Sequence, residues 1–397
     1  MLSCLTLLSA CQLSPVAARA GEWPLSLFIT TQLSSRLSGN PDALLSVTPF
    51  NVQSPGSLYI VENGTLMPEP SGFLSEPKIE EIFRTGPYVA IRLAAPINHF
   101  GKECRNVLVH RTTLTTICLE KTAVCPQKRN FCPGKPILAD PSGQHVALYD
   151  GNRNEVWAVD LTGSLPVSTK ISTEGAGITI NGSGEILVKK VDGSFNIFHP
   201  DGSSVPALQG MSASCFFGSL NATFYAQVGT NIQSFTSTAT VPLTVFMNAP
   251  NFPCASGGAI VETEGNASMI YDPSLTDDSV LYFSTVSETG LIDTLSFTDP
   301  AKQIAANGHS MPVIFAGPGS PAISIPLVEA FGVGSQIQLL TADDLHSFDV
   351  SAGGEVYWAA SWPINGTILG VYPASSSTST TIKQSFDFRV PTMAAMK

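Results

Sequence analysis

The chain has 397 residues, 43% of them hydrophobic and 21 of them Phe, which is enough for a large folded core and too much for a disordered chain. Only 13% are charged; Ser, Thr, Gly and Pro are plentiful, as in an exported β-protein whose exposed strand faces are Thr and Ser and whose turns consume Gly and Pro. A net charge of −11 repels a polyphosphate and excludes nucleic acid as a nonspecific partner, and no run of 18 apolar residues exists to form a spanning helix.

Residues 2–10 form an apolar stretch too short to span a bilayer but of the length of a signal-peptide core. Two cleavage patterns follow it. Leu8-Ser9-Ala10-Cys11 ends the stretch, and Ala18-Arg19-Ala20 has the small-x-small pattern of an ordinary secretory site. The first resembles the lipobox of bacterial lipoproteins, in which the cysteine is acylated and becomes the N-terminus. That resemblance implies lipidation of Cys11, attachment to the cell envelope and, with Gln12 rather than Asp next, the outer membrane or periplasmic face. The second site would release a soluble secreted protein; it lies ten residues past the apolar core, beyond Pro15, so the lipobox is preferred. Residues 1–20 are read as the export region and 21–49 as a linker.

The next 300 residues read as strand, turn, strand. Residues 57–61 lead into Asn63-Gly64, 146–149 and 156–159 flank "DGNRNE", 186–189 and 195–198 flank "VDGS", and 224–227 and 232–235 flank "VGTN". Asp-Gly and Asn-Gly tolerate the positive φ of tight hairpins. Only "PKIEEIFRTG" (77–86) and "DPAKQIAANG" (299–308) have helical periodicity, and two short inserted helices are expected there.

Strand starts at Val107, Val146, Ile186 and Phe224 stand 39, 40 and 38 residues apart, and Val280 and Val356 stand 76 apart. The 56 residues from Phe224 to Val280 fit one unit plus an insertion. Turns at Ser142-Gly143 and Ser183-Gly184 repeat 41 residues apart. A period near forty made of short antiparallel strands predicts an all-β fold, a β-propeller over 50–373 with about seven four-stranded blades, six to eight being compatible. Each blade can bury both faces only by stacking between two others in a closed ring. A pair of β-sandwiches with coincidental spacing is the alternative. Residues 374–397 form a Ser/Thr-rich tail, and a strand from 24–31 or 386–390 is expected to complete a blade of the other end.

"NEVWAVDLTGS" (154–164) is similar to the strand-and-turn repeat of quinoprotein and WD-type propellers. With the lipobox, the chain resembles bacterial propeller lipoproteins of the envelope, including those that scaffold outer-membrane assembly. The Trp that closes each quinoprotein repeat is missing, since the only tryptophans are Trp23, Trp157, Trp358 and Trp362, so no cofactor is carried over.

Whichever cleavage site is used, six cysteines remain: Cys104, Cys118, Cys125, Cys132, Cys215 and Cys254. "CRNVLVHRTTLTTIC" is symmetric about Arg111, so a hairpin turning there places Cys104 opposite Cys118, within bridging distance. Cys125 and Cys132 would close a small loop, and Cys215 and Cys254 would join neighbouring blades. Free thiols or zinc are the alternatives; the gaps of 13, 6 and 6 residues lack the paired knuckles zinc prefers. The same segment is basic. Lys102, Arg105, Arg111, Lys121, Lys128, Arg129 and Lys135 give residues 102–135 a net +5 in an acidic protein, a patch that could dock an anionic partner or simply be solvated.

"TADDLHSFD", with Asp343, Asp344, His346 and Asp349, is read as a polar inter-blade loop rather than a metal site, and "DGNRNE" as a hairpin turn, because Glu155 and Leu161 replace the Gly and Glu of a calcium loop. The sequence has no G-x-S-x-G, no H-E-x-x-H and no phosphate loop, so no catalytic residue and no metal is assigned. The sequence therefore predicts an envelope-anchored propeller that binds or scaffolds a protein or glycan, with the membrane reached through its N-terminal lipid. The alternative is an exported propeller hydrolase or lyase with its active site in the central channel.

Overall fold

The computed structural model describes residues 41–49, 56–67, 78–99, 102–125, 135–218 and 222–246, the backbones of the strands between 260 and 338, and residues 344–396 apart from 352, 363–365, 374–375, 377 and 387. These residues contain no helix, hence none long and apolar enough to cross a membrane, and they form eight four-stranded antiparallel sheets plus one small hairpin. Eight blades is the upper end of the predicted range.

Blade 1 consists of Ala43–Pro49, Ser57–Glu62, Thr65–Met67 and, from the far end of the chain, Phe388–Ala395. Blade 2 is Ile79–Thr85, Tyr88–His99, Lys102–His110 and Thr116–Leu119. Blade 3 is Ile137–Ala139, His145–Asp150, Glu155–Asp160 and Val167–Ser172, and blade 4 is Gly175–Ile180, Ile186–Lys190, Phe195–Phe198 and Ser204–Ala207. Blades 5, 6 and 7 start at Ala213–Gly218, Ile260–Glu262 and Gln303–Ala306, and blade 8 is Asp344–Val350, Val356–Trp362, Gly366–Tyr372 and Thr380–Phe386. Within a blade, consecutive strands pair in order. The exceptions are blade 7, where a small hairpin intervenes before the outer strand Ile337–Gln338, and blade 1, where Phe388–Ala395 adds beside Ala43–Pro49, with Leu44 opposite Ala394. That strand touches the first strands of blade 2 and blade 8, so it is the innermost strand of blade 1 and closes the ring.

The core is a set of layers between blades rather than one centre. Leu44 and Ala394 pack with Ile79, Ile82, Val89 and Val107 of blade 2, whereas Ala43, Leu45, Met393 and Ala395 face Tyr357, Ala359 and Leu369 of blade 8. Similar layers join blades 2 and 3, 3 and 4, and 4 and 5. An inner strand is thus buried on both faces, and its apolar residues need not alternate.

This explains the two helix expectations that the structure corrects. Residues 79–85 form the inner strand of blade 2, where Ile79, Ile82 and Phe83 are buried on different faces and a bulge between Ile79 and Glu81 breaks the period of two. Residues 303–306 likewise form the inner strand of blade 7. "TADDLHSFD" is not a loop either: Asp344–Val350 is the inner strand of blade 8.

The repeated turn is real and has one chemistry. Asp140, Asn181 and Ser351 each end an inner strand, and each accepts a backbone hydrogen bond from His145, Glu185 and Glu355, respectively, through its side-chain oxygen. Gly143, Gly184 and Gly354 supply the left-handed residue, with φ of 72°, 76° and 86°. At Gly184 a Cβ would meet the His145 ring of the preceding blade, so the turns also set how closely blades stack. Asn63-Gly64 forms the predicted tight turn, with φ of 48° and 68°.

Candidate functional site

The basic segment does not form one patch. Blade 2 sends its cations to two separate places, because its third and fourth strands run between opposite ends of the blade.

The first place is a cleft between blades 2 and 3, about 240 Å³ in volume, lined by Arg105, Glu120, Lys121, Thr122, Asp150, Arg153, Glu155 and Trp157. Trp157 comes from the third strand of blade 3 and is half-buried. The Lys121 ammonium, just past the outer strand of blade 2, lies 4.5 Å from the Trp157 ring centroid, and that of Lys170, on the outer strand of blade 3, lies 5.1 Å from it. Most of the other charges here are paired locally: Arg105 with Glu103 at 2.6 Å, Lys170 with Glu155 at 2.8 Å, and Arg153 more loosely with Asp150 at 3.9 Å. The hydrogen bond from Lys170 holds the Glu155 carboxyl below its usual pKa, keeping it ionised. Three cations and three carboxylates line the cleft, so its charge is balanced.

The second place is one end of the central channel, where innermost strands of blades 8, 1 and 2 meet. Asp349 of blade 8 accepts a hydrogen bond from Arg84 Nη2 of blade 2 at 2.8 Å through one oxygen, and its other oxygen lies 2.7 Å from Arg84 Nε and accepts from the Ala395 backbone N–H at 2.8 Å. Three blades are thereby tied through one carboxylate. The Arg111 guanidinium donates from Nε to the Met396 carbonyl at 3.2 Å, and the Lys135 ammonium reaches the Arg84 carbonyl at 3.1 Å. Burial, then the neighbouring Arg84 charge, lowers the Arg111 pKa to about 10, with Asp349 opposing. The same two causes, in the same order, lower that of Lys135. Lys135 is nonetheless exposed to solvent.

The turn that carries Arg111 is pH-sensitive by construction. His110 Nδ1 accepts from the Thr112 and Thr113 backbone N–H groups, both at 3.2 Å, so that nitrogen must be unprotonated. Burial and then Arg111 lower its pKa below the ordinary value. The folded state therefore prefers neutral His110, and the unfolded chain binds its proton first as pH falls through about 6.5. The expected result is that stability contributed by this turn is present above that pH and declines as pH drops toward the folded pKa. Thermal midpoints measured across pH 7 to 5 should fall less in His110→Gln than in the native chain.

Of the predicted disulfides, Cys104–Cys118 is present, with Cα atoms 5.5 Å apart. The hairpin turns nearer Thr112-Thr113 than Arg111, so Cys118 pairs with Val107 in the ladder, and Cys104 lies beyond its last pair, Asn106 with Leu119. Cys125 is also disulfide-bonded. Cys11, Cys132, Cys254, Lys128, Arg129 and the side chains of Cys215 and Lys102 lie outside the described residues. Of the "TADDLHSFD" residues, His346 bonds Ser361 through Nε2 at 2.7 Å and Asp349 is paired with Arg84, while Asp343 and the side chain of Asp344 lie outside the described residues. Sequence reasoning missed Arg84; the available signal was a lone arginine inside a strand that must be buried on both faces.

No sequence family and no curated protein matches the chain. Solved structures do resemble it. Dihydro-heme d1 dehydrogenase NirN in complex with DHE superposes with a TM-score of 0.56 at 9% identity, over 88% of this chain and 74% of that one. Dipeptidyl peptidase 4 of Porphyromonas gingivalis superposes with a TM-score of 0.52 at 9% identity, over 92% of this chain, which spans 62% of the peptidase. At these identities the likeness establishes the β-propeller fold alone.

Proposed function

We propose that the protein is an exported, lipid-anchored β-propeller of a bacterial envelope that binds a glycan through the cleft between blades 2 and 3. The observation that carries this reading is the composition of that cleft. A half-buried Trp157 face is ringed by equal numbers of cationic and anionic side chains. A charge-balanced ring selects neither an anion nor a cation, but it presents donors and acceptors side by side. Adjacent hydroxyls of a sugar ring need that arrangement, and the C–H face of a sugar that displaces the Lys121 ammonium packs on the indole.

Size points the same way. About 240 Å³ is below the range of roughly 300–1,000 Å³ typical of pockets that swallow a small molecule. It suits one or two rings of a longer chain that runs on across the surface. A hydrolase acting in this cleft would need a carboxyl held protonated as the acid, whereas Lys170 keeps Glu155 ionised.

Trp157→Ala is expected to weaken glycan binding by roughly 1–3 kcal/mol, about five- to 150-fold in Kd, by loss of a stacking face. Envelope oligosaccharides titrated into native and variant protein by calorimetry provide the check, with an unchanged melting curve showing that the fold is intact. Equal affinity in both proteins would place the ligand elsewhere. Mass spectrometry of the mature N-terminus tests the anchor: acylated Cys11 supports it, and a chain starting at Gly21 makes the protein soluble and secreted.

A further inference from the structure

We propose that Lys121 makes the cleft between blades 2 and 3 selective for acidic saccharides, in which a carboxylate on the sugar ring takes up the ammonium that the ring displaces from Trp157. This deepens the glycan reading and rests on it.

The two ammonium groups beside the indole are held in different ways. Lys170 is fixed by Glu155, 2.8 Å from its Nζ, and the same carboxylate takes a hydrogen bond from the Trp157 side chain. Glu155 therefore orients the indole and keeps Lys170 in place. The Lys121 ammonium, 4.5 Å from the ring centroid, has no carboxylate partner among the described residues and is held by the indole face. A cation–π contact at a half-buried site is weak enough for a ligand to displace.

The backbone beneath that ammonium is anchored. The Lys121 carbonyl accepts from Asn106 Nδ2 at 2.8 Å, and the Ala123 carbonyl accepts from Arg92 Nη1 at 2.8 Å. Cys118 and Cys125, on either side, are both disulfide-bonded. A ligand therefore moves the side chain and not the segment. A four-carbon stem on a fixed Cα keeps the ammonium beside the ring it has left.

That position sets the preference. A neutral sugar gains the indole at the expense of the cation–π contact and offers the ammonium only hydroxyls. A hexuronate covers the same face, and the carboxylate at its ring edge accepts a charge-assisted hydrogen bond from Lys121 Nζ. Two of the cleft's own carboxylates are already engaged: Glu155 by Lys170, and Asp150 by the Asn152 N–H at 3.1 Å and by Arg153 at 3.9 Å.

The test is calorimetry on the full-length protein with two matched pairs of short oligosaccharides, galacturonate against galactose and glucuronate against glucose. Members of a pair differ only in carrying a carboxylate or a hydroxymethyl on each ring. The native protein should bind the acidic member of a pair about fivefold or more tightly, and raising the salt tenfold should shrink that advantage. Lys121→Met keeps the stem and removes the charge. It should tighten binding of the neutral member by about two- to fivefold, because nothing then competes for the indole, and weaken that of the acidic one, bringing their ratio near unity. Lys190→Gln, a substitution in blade 4, should leave both unchanged. Equal affinity for the two members in the native protein, an acidic advantage indifferent to salt, or a ratio that survives Lys121→Met would overturn the proposal; the glycan reading would stand if Trp157→Ala still weakened binding. The salt series needs no variant and decides the matter even where Lys121→Met does not fold. If no oligosaccharide binds, or Trp157→Ala leaves binding intact, the glycan reading falls and this proposal with it.

Discussion

Deleting residues 388–397 is expected to abolish cooperative folding. The strand Phe388–Ala395 is the innermost member of blade 1, and without it the first strand of that blade loses its partner along Ala43–Pro49. Val390, Met393, Ala394, Ala395 and Met396 are all 5% exposed or less, and they contribute to the layers facing both neighbouring blades. Burying one Val or Met side chain contributes about 1.5–3 kcal/mol. With the backbone ladder and the Ala395 bond to Asp349, the loss is on the order of the 5–15 kcal/mol that stabilises a whole domain. The truncated chain should show no sharp thermal or urea transition and should be cleaved quickly by protease. Adding a synthetic 386–397 peptide should restore part of the transition. A truncated chain that melts within a few degrees of the native one would show that the ring does not depend on this strand.

Asp349→Ala is expected to be the most damaging single substitution in the described structure. The Asp349 and Arg84 side chains are only 10% and 12% exposed, so the pair is largely shielded from water. Removing the carboxylate strands the Arg84 charge beside Arg111 and Lys135 and leaves the Ala395 N–H without its acceptor. Breaking a buried pair in this way typically costs about 3–5 kcal/mol, far above the value of a surface ion pair. Asp349→Asn keeps an acceptor for Ala395 but not the charge and should fall between the two. Chemical denaturation measures the series, and a double-mutant cycle with Arg84→Met isolates the coupling: the second change should recover part of the loss, because it removes the stranded charge. Additive losses would mean that the two groups act separately.

Much of the fold was legible in short segments and little of the site was. The hairpins about "DGNRNE", "VDGS" and "VGTN" and the turn at Asn63-Gly64 lie where the sequence put them, because Asp, Asn and Gly fix local geometry whatever the surroundings. The forty-residue period held from Val146 through Ile186 to Phe224, all in second strands of their blades. Val107 and Val280, by contrast, belong to third strands, so their spacings mixed two positions of the repeat. The stretch from Phe224 to Val280 is one unit, reaching the second strand of blade 6 at Ala267, plus the step to its third strand, so no insertion is present there. Blade 1 was hard to recognise because a quarter of it is supplied from the other end of the chain. The observed ring therefore starts earlier and finishes later than the predicted 50–373, with Ala43–Pro49 and Phe388–Ala395 both in blade 1.

The site failed to show for a related reason. Arg105 and Arg111 are six residues apart yet serve opposite ends of a blade, whereas Lys121 and Trp157 meet only because blades 2 and 3 are stacked. Charge counting along 102–135 found the cations. It could not find Arg84 and Asp349, 265 positions apart, which decide what two of those cations do.

The contact of Leu44 with Ala394 also sets a timetable. Joining points some 350 positions apart carries a loop-closure cost of about 5 kcal/mol, among the largest a single chain of this size can incur. Blades 2 to 5 can assemble as they emerge, each upon its predecessor, but the first remains an unfinished sheet until Phe388–Ala395 has been made. A polypeptide whose last step waits for its final segment stays pliable while it is being made.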